Sequence, residues 1–244
     1  MRSYRQKIYQ YYSSDRIGEL APSTVKGFAP RQPYFNKIIR EHFPANRQSS
    51  ILELGCGHGA FLYFMHEEGY RNAVGIDGSE EQVKEAQRLG ISGITKGDLV
   101  EYLSGCGEES LDLVIAFDVI EHFTKDELSL LVDNLYRALK KGGKFICHQP
   151  NSEGPFGNSI KDGDFTHETG FTRQSVAQLF LSSGFSSVQS YEDKPVVHGI
   201  KSLVRFVLWE FVIRQIYSFI TLVETGAKNR SAIYSMNFLS VVMK

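Results

Sequence analysis

The chain is poor in cysteine, has a single tryptophan, and carries no long run of one charge. Its three cysteines, Cys56, Cys106 and Cys147, show no paired spacing. That argues against a disulfide framework or a cysteine-bound zinc, and makes a reducing cytoplasm the simpler setting. The opening residues, MRSYRQKIYQYY, contain no continuous apolar stretch, so no secretory signal is expected. Without a dense basic run, and with a sequence pI near 6.7, nucleic acid is set aside as a partner. No internal repeat or low-complexity tract is present. What remains is an ordinary globular composition, 42% hydrophobic and 23% charged over 244 residues, which suits one α/β domain with an insertion or a lid.

The most informative stretch is ILELGCGHG at 51–59, followed by AVGID ending at Asp77. A short apolar strand runs into a glycine-rich turn, and a helix leaves it near Ala60. Gly55, Gly57 and Gly59 allow a tight turn and a close approach of backbone to ligand. Asp77 lies 22 positions after Gly55, where the second strand of a βαβ unit ends and a carboxylate can accept from ribose hydroxyls. The glycine pattern alone also fits a dinucleotide fingerprint. Glu53 tilts the choice, since a carboxylate facing the ligand suits a cationic group better than a pyrophosphate.

The alternation continues. Strands are expected at 50–54, 73–77, 92–96, 112–117 and 144–149, and helices at 59–68, 79–88, 99–104 and 126–139. Ser79 reads as an N-cap with Glu80 and Glu81 in the first turn. Gly142 and Gly143 read as the end of a helix whose last turn carries Lys140 and Lys141. Such alternation implies a parallel sheet covered on both faces, with ligands at the carboxyl ends of the strands. Further strands are expected at 185–191 and 235–243, and a helix at 172–184.

Taken in order, ELGCGHG, Asp77, KGD (96–98), FDVIEHF (117–123) and LKKGGKF (139–145) resemble the class I S-adenosylmethionine-dependent methyltransferases. The resemblance is close over 49–151 and looser to the end. It implies a Rossmann-like, doubly wound, mostly parallel sheet of seven strands with an antiparallel last strand. It places a helical N-terminal lid at 1–48 before a methyltransferase domain at 49–244, which includes a loop at 151–171 and a helical insertion at 201–226. The implied cofactor is S-adenosylmethionine. Glu53 is expected at its amino-acid end, Gly55, Cys56 and Gly57 along the turn, and Asp77 and Gly78 at the ribose and adenosine. The resemblance puts Asp98 at the adenine amino group, where it can also cap a helix, and Leu99 on the adenine face. It puts Phe117 and Asp118 on the methionine side.

His122 follows Glu121 in a pair found in many small-molecule members of the family. His167 lies in GDFTHE (163–168), on the loop after the fifth strand where an acceptor enters. Either is a candidate catalytic base, because a neutral imidazole takes a hydroxyl proton near neutral pH. Structural roles stand equally open for both. Asp162, Asp164, His167 and Glu168 form an oxygen-rich group of a kind that suits Mg²⁺, but no metal is expected. His148 is expected in the sheet packing, without a function. GDFTHE with FTRQSV resembles a subgroup associated with bacterial surface-polysaccharide assembly.

The resulting expectation is methyl transfer to a hydroxyl of a small, carbohydrate-like or phosphorylated acceptor. The alternatives are a quinone, lipid or natural-product phenol acceptor, a methyltransferase-like subunit without turnover, and an NAD-dependent oxidoreductase. The Asn/Asp-Pro-Pro-Tyr tetrad of many N-methyltransferases is absent after the fourth strand. Charge is segregated: 1–48 carries nine Lys/Arg against three Asp/Glu, 49–193 eleven against twenty-three, and 194–244 seven against two. Basic flanks suit an anionic partner. The apolar stretch 201–223 is expected to pack as a helix on the core or on a second copy. Peripheral membrane contact is the alternative, because Lys201, Arg205, Glu210 and Arg214 weigh against spanning.

Overall fold

The computed structural model describes residues 21–227, 229 and 231–244, with backbone alone at Asn158. The expected lid therefore lies partly outside the described residues. A single sheet organises the rest: β1 (Ile51–Leu54), β2 (Ala73–Asp77), β3 (Ile94–Lys96), β4 (Leu111–Phe117), β5 (Leu139–Pro150), β6 (Ser187–Glu192) and β7 (Asn237–Met243). The strand order is β3-β2-β1-β4-β5-β7-β6. β7 runs antiparallel to both neighbours, and the pairs from β3 to β5 are parallel. This is the expected Rossmann-like architecture.

Strand alternation divides the core in two. Leu52, Leu54, Val114, Ala116, Phe145 and Phe238 face one layer, formed by α4 (Leu99–Gly105), α5 (Lys125–Ala138) and α7 (Arg173–Ser182). Ile51, Leu113, Ile115, Ile146 and Leu239 face the other, formed by α1 (Gln32–His42), α2 (Ala60–Glu67) and α3 (Glu80–Arg88). Helix α1 buries Phe35, Ile38, Ile39 and His42, so the helical spacing of 35–43 does pack on the sheet. Phe35 stacks on Phe61 with centroids 4.3 Å apart. A chain buried on both faces needs strands that are apolar on both sides, which β1 and β4 are.

The helix end expected at Gly142–Gly143 is not there. Helix α5 stops at Ala138 and the chain turns extended at Leu139, so Lys140 and Lys141 belong to β5. The cation of the last turn is Arg137, which donates to the carbonyls of Leu103, Ser104 and Cys106 at the end of α4. Leu111 already pairs with Leu139, and this ladder competes with another helical turn.

The apolar stretch after β6 is helical as expected, but without the packing on the core. It forms α8 (Ile200–Leu208), a π-helical turn at Trp209–Ile213, and α9 (Arg214–Thr225). It does not pack into the core: over its most apolar 18-residue window none of it is buried. Two of its charged residues turn inward, while Lys201 and Arg205 are exposed. Arg214 Nε reaches Glu192 at 3.2 Å and Lys194 Nζ reaches Glu210 at 2.8 Å. Tyr217 lies against Tyr234. Phe211 and Phe219, two-thirds exposed, point outward with Val204, Val207 and Val223. So many exposed apolar side chains are unusual for a water-soluble surface helix.

Candidate active site

Five strands end on one side of the sheet, and the expected residues line that edge. At the end of β1 the chain makes its glycine turn. The amides of Gly55 and Cys56 donate to the Ile76 carbonyl at 2.8 and 3.1 Å. Asp77 holds the turn from β2: its Oδ2 accepts from the Gly57 amide at 2.7 Å and its Oδ1 from the Ser79 amide at 2.8 Å. Burial raises its carboxyl above the usual range, against those two amide bonds. Asp77 therefore shapes the turn as well as facing the crevice. Gly59 has φ +80°, and a Cβ there would lie 2.6 Å from Ile94 Cδ1, so its role is close approach of α2 to the sheet.

Glu53 sits 3% exposed beneath this turn. It lies on the α1–α2 side of the sheet, and the Leu62 amide at the start of α2 donates to it, while its Oε2 has no partner. Burial, then the neighbouring Asp77 charge, push its carboxyl up to about 8. A buried carboxylate oxygen without a donor is costly unless a cation comes to it. The backbone beside it is bare: a Cβ on Gly57 would meet nothing nearer than 3.6 Å, and one on Gly78 nothing nearer than 3.9 Å. An orphan acceptor beside open glycine backbone fits the amino-acid tail and nucleoside of S-adenosylmethionine.

Other expected cofactor residues divide. Cys56 turns under the loop, where its thiol is buried against Gly75 and pushed upward by that burial, so only its backbone lies on the turn. Asp98 caps α4 through Oδ1, which accepts from the amides of Val100 and Glu101 at 2.9 Å each. Leu99 packs partly buried beside it. His58 bonds Gln82 at 3.1 Å and stacks on Phe28, so the mouth of the turn is closed by a 3-10 turn at 25–28.

At the end of β4, Asp118 has φ +53°, a strained conformation outside glycine. Its carboxylate accepts from His148 Nδ1 at 2.8 Å, and Asp193 lies 3.5 Å from the other ring nitrogen. Phe117 stacks on the same imidazole at 5.0 Å, and Tyr34 closes on it edgewise. Burial alone lowers His148, but its two carboxylate partners raise it to about 9. His148 was expected to be packing only. Strand alternation indicates its side of the sheet but not the carboxylates that meet it from β4 and from the segment after β6.

The turn at 120–122 and the loop after β5 are laced together. The Glu121 carbonyl accepts from the amides of Glu168 and Thr169, and Thr169 Oγ1 donates to the Phe123 carbonyl. These bonds bring His122 and His167, 45 residues apart in sequence, to 4.7 Å between ring centroids. His167 Nδ1 donates to the Lys161 carbonyl at 2.9 Å. Thr166 Oγ1 donates to Asp164, so it accepts from His122 Nδ1, at 2.8 Å. Both rings keep Nε2 as an open lone pair. Burial and the nearby His167 lower the His122 pKa. Of the acidic residues near His167, Asp162 faces Lys161 at the surface, and Asp164 accepts from Thr166 and acts on His122.

The chain matches a methyltransferase domain family model over residues 28–190. It is 30% identical over 122 residues to a probable fatty acid methyltransferase of Pseudomonas putida, covering 48% of this chain and 31% of that protein. It is 27% identical over 135 residues to a sterol 24-C-methyltransferase of Aspergillus fumigatus, covering 50% and 35%. The chain thus spans about a third to a half of the length of the curated relatives it matches. A crystal structure of a SAM-dependent methyltransferase from Archaeoglobus fulgidus shares the fold, with TM-score 0.66 and 21% identity over 90% of this chain and 97% of that one. With the crevice above, these matches make the chain a member of the methyltransferase domain family, with the class I fold.

Proposed function

We propose that this protein transfers a methyl group from S-adenosylmethionine to a hydroxyl oxygen of a small, polyhydroxylated or phosphorylated acceptor. The observation that carries the reading is the His122–His167 pair, with each Nδ1 engaged and each Nε2 open. The cofactor, when bound, supplies an activated methyl on a sulfonium. Glu53 meets the ammonium of its tail, the backbone of Gly55 and Gly57 lies along it, and Asp77 takes the ribose diol. Asp98 and Leu99 border the adenine, while Phe117 and Asp118 border the methionine side. The histidine pair takes the acceptor proton as the new bond forms, and the loop at 151–171 holds the acceptor in line.

A lipid-like or phenolic acceptor is the second reading. The outward apolar face of α8–α9 supports it, as do the fatty acid and sterol named for two relatives. Under either reading the protein is cytoplasmic, and α8–α9 meets a membrane surface peripherally or a second copy. Spanning would break the Lys194–Glu210 and Arg214–Glu192 pairs.

Calorimetry with S-adenosylhomocysteine and NAD is the first test, and only the former should bind. Asp77→Ala should weaken that binding by about a hundredfold, since it removes a diol acceptor and two amide bonds; unchanged affinity removes Asp77 from the site. A methyl-release assay across phosphorylated sugars, nucleotide sugars, catechols and lipid phenols then separates the two acceptor readings. Undiminished turnover by His122→Ala and His167→Ala would refute the proton-accepting role.

A further inference from the structure

We infer that Glu121, His122 and His167 form a binding site for one divalent first-row transition-metal cation. One ligand atom from each of the three residues lies within 4.8 Å of the other two. Two imidazole nitrogens and a carboxylate make a donor set suited to Zn²⁺, Fe²⁺, Mn²⁺ or Co²⁺, and softer than Mg²⁺ prefers.

Glu121 supplies the independent sign. It is 1% exposed, and neither carboxylate oxygen has a hydrogen-bond partner. Its carbonyl takes two amides from the 160s loop, which holds the residue in place beside the two rings. A buried carboxylate with two orphan oxygens is stable only beside a cation or a proton. No Lys or Arg is paired with it among the described residues. The two imidazoles are within reach of it, and Asp118, His148 and Asp164 are the other charged groups that act on it.

Those imidazoles are set for ligation. Asp164 accepts from Thr166 Oγ1 at 2.7 Å, and Thr166 Oγ1 accepts from His122 Nδ1 at 2.8 Å. The Lys161 carbonyl takes Nδ1 of His167. Outer partners of this kind fix the tautomer and leave Nε2 as the metal-binding atom. Bonds of about 2.1 Å in a tetrahedral site place ligand atoms about 3.4 Å apart, so small side-chain rotations would draw the three together. A tetrahedral cation held by three ligands would leave a fourth position for a hydroxyl. A hydroxyl held there would have its pKa lowered and lose its proton to water.

Cation binding takes the two Nε2 lone pairs, so in the metal-loaded protein the histidines hold the cation and water takes the acceptor proton; binding is tested apart from methyl transfer, while its catalytic use rests on that reading. The test uses the full chain after treatment with chelator, titrated with Co²⁺ and followed by visible d–d absorption, and by calorimetry with Zn²⁺ and Mg²⁺. One equivalent of Co²⁺ should bind and produce the absorption. Zn²⁺ should bind at least a hundredfold more tightly than Mg²⁺. Glu121→Gln and His167→Gln should each weaken Co²⁺ by tenfold or more, and Thr166→Val by about tenfold. Glu121→Gln should keep its melting temperature without metal, while losing the rise that Zn²⁺ gives the parent. No stoichiometric binding, or equal affinity in parent and variants, overturns the site. Binding of S-adenosylhomocysteine is titrated on the same samples. Cofactor binding without metal binding refutes only the metal site, and metal binding without cofactor binding refutes only the methyltransferase reading.

Discussion

Asp118 and His148 hold each other twice: the His148 ring donates to the Asp118 carboxylate at 2.8 Å, and the Asp118 amide donates to the His148 carbonyl at 2.9 Å. The double bond closes the carboxyl ends of β4 and β5 into one unit and accounts for the positive φ of Asp118. Asp193, from beyond β6, adds a second carboxylate to the same ring.

The His148 ring should titrate near 9 in the folded protein, as read by the NMR shift of its Cε1 proton. Asp118→Asn should lower that midpoint by a unit or more. A histidine raised in the folded state contributes stability that is complete below its free value of 6.5 and lost as pH rises towards 9. His148→Ala should cost about 1–2 kcal/mol in denaturant unfolding, because two carboxylates lose a partner while Asp118 keeps more than half of its side chain in water. An ordinary histidine midpoint would show that the carboxylates do not hold the ring charged.

Glu53→Gln should move stability and affinity in opposite directions. Between 4.5 and about 8 the folded protein keeps a proton on Glu53 that the unfolded chain has lost. Stability therefore falls with rising pH through that window, by at most about 1.4 kcal/mol per unit. The amide removes that dependence and makes the cofactor-free protein more stable at pH 8. It also removes the partner of the cofactor's ammonium, so affinity should drop tenfold or more. A variant that binds as well as the parent places Glu53 outside the site.

Gly59→Ala combines a left-handed φ with a close approach to Ile94. Overpacking and backbone strain together should cost about 2–4 kcal/mol, measured by urea unfolding. Gly90→Ala has a similar φ but nothing within 4 Å of its Cβ, so it should show the strain alone, about 1–2 kcal/mol. Equal losses in the two variants would remove packing from the account.

Phe211→Ser with Phe219→Ser tests the outward face of α8–α9. The parent should float with anionic vesicles, and the double variant should bind several-fold less, with its melting temperature unchanged. Two exposed phenylalanines contribute nothing to the folded body, but each loses about 1.5–3 kcal/mol of burial in lipid. If the parent stays with the protein fraction and elutes as a dimer that the variant dissociates, the face belongs to a second copy.

Much of the cofactor crevice was legible in the sequence because its parts are local. A strand, three glycines and a capped helix start fall within one short window, and periodicity with turn chemistry is enough to read them. Ser79 caps α3 as its spacing foretold, its side chain accepting from the Gln82 amide. The helix end at Gly142–Gly143 was misread because a pair of glycines marks a stop only where no strand partner competes, and Leu111 supplies that partner.

By itself the sequence determined the alternation of strands and helices, the glycine turn with Asp77, and a carboxylate at Glu53 beside that turn. These follow from rules that act over a few residues. Only the tertiary structure decided that Asp193 reaches His148, that His167 lies beside His122 and Glu121, and that Glu210 and Arg214 of α8–α9 pair with Lys194 and Glu192. Each of those pairs groups across 15 or more residues, where contact depends on how loops close over the sheet and no local preference records it.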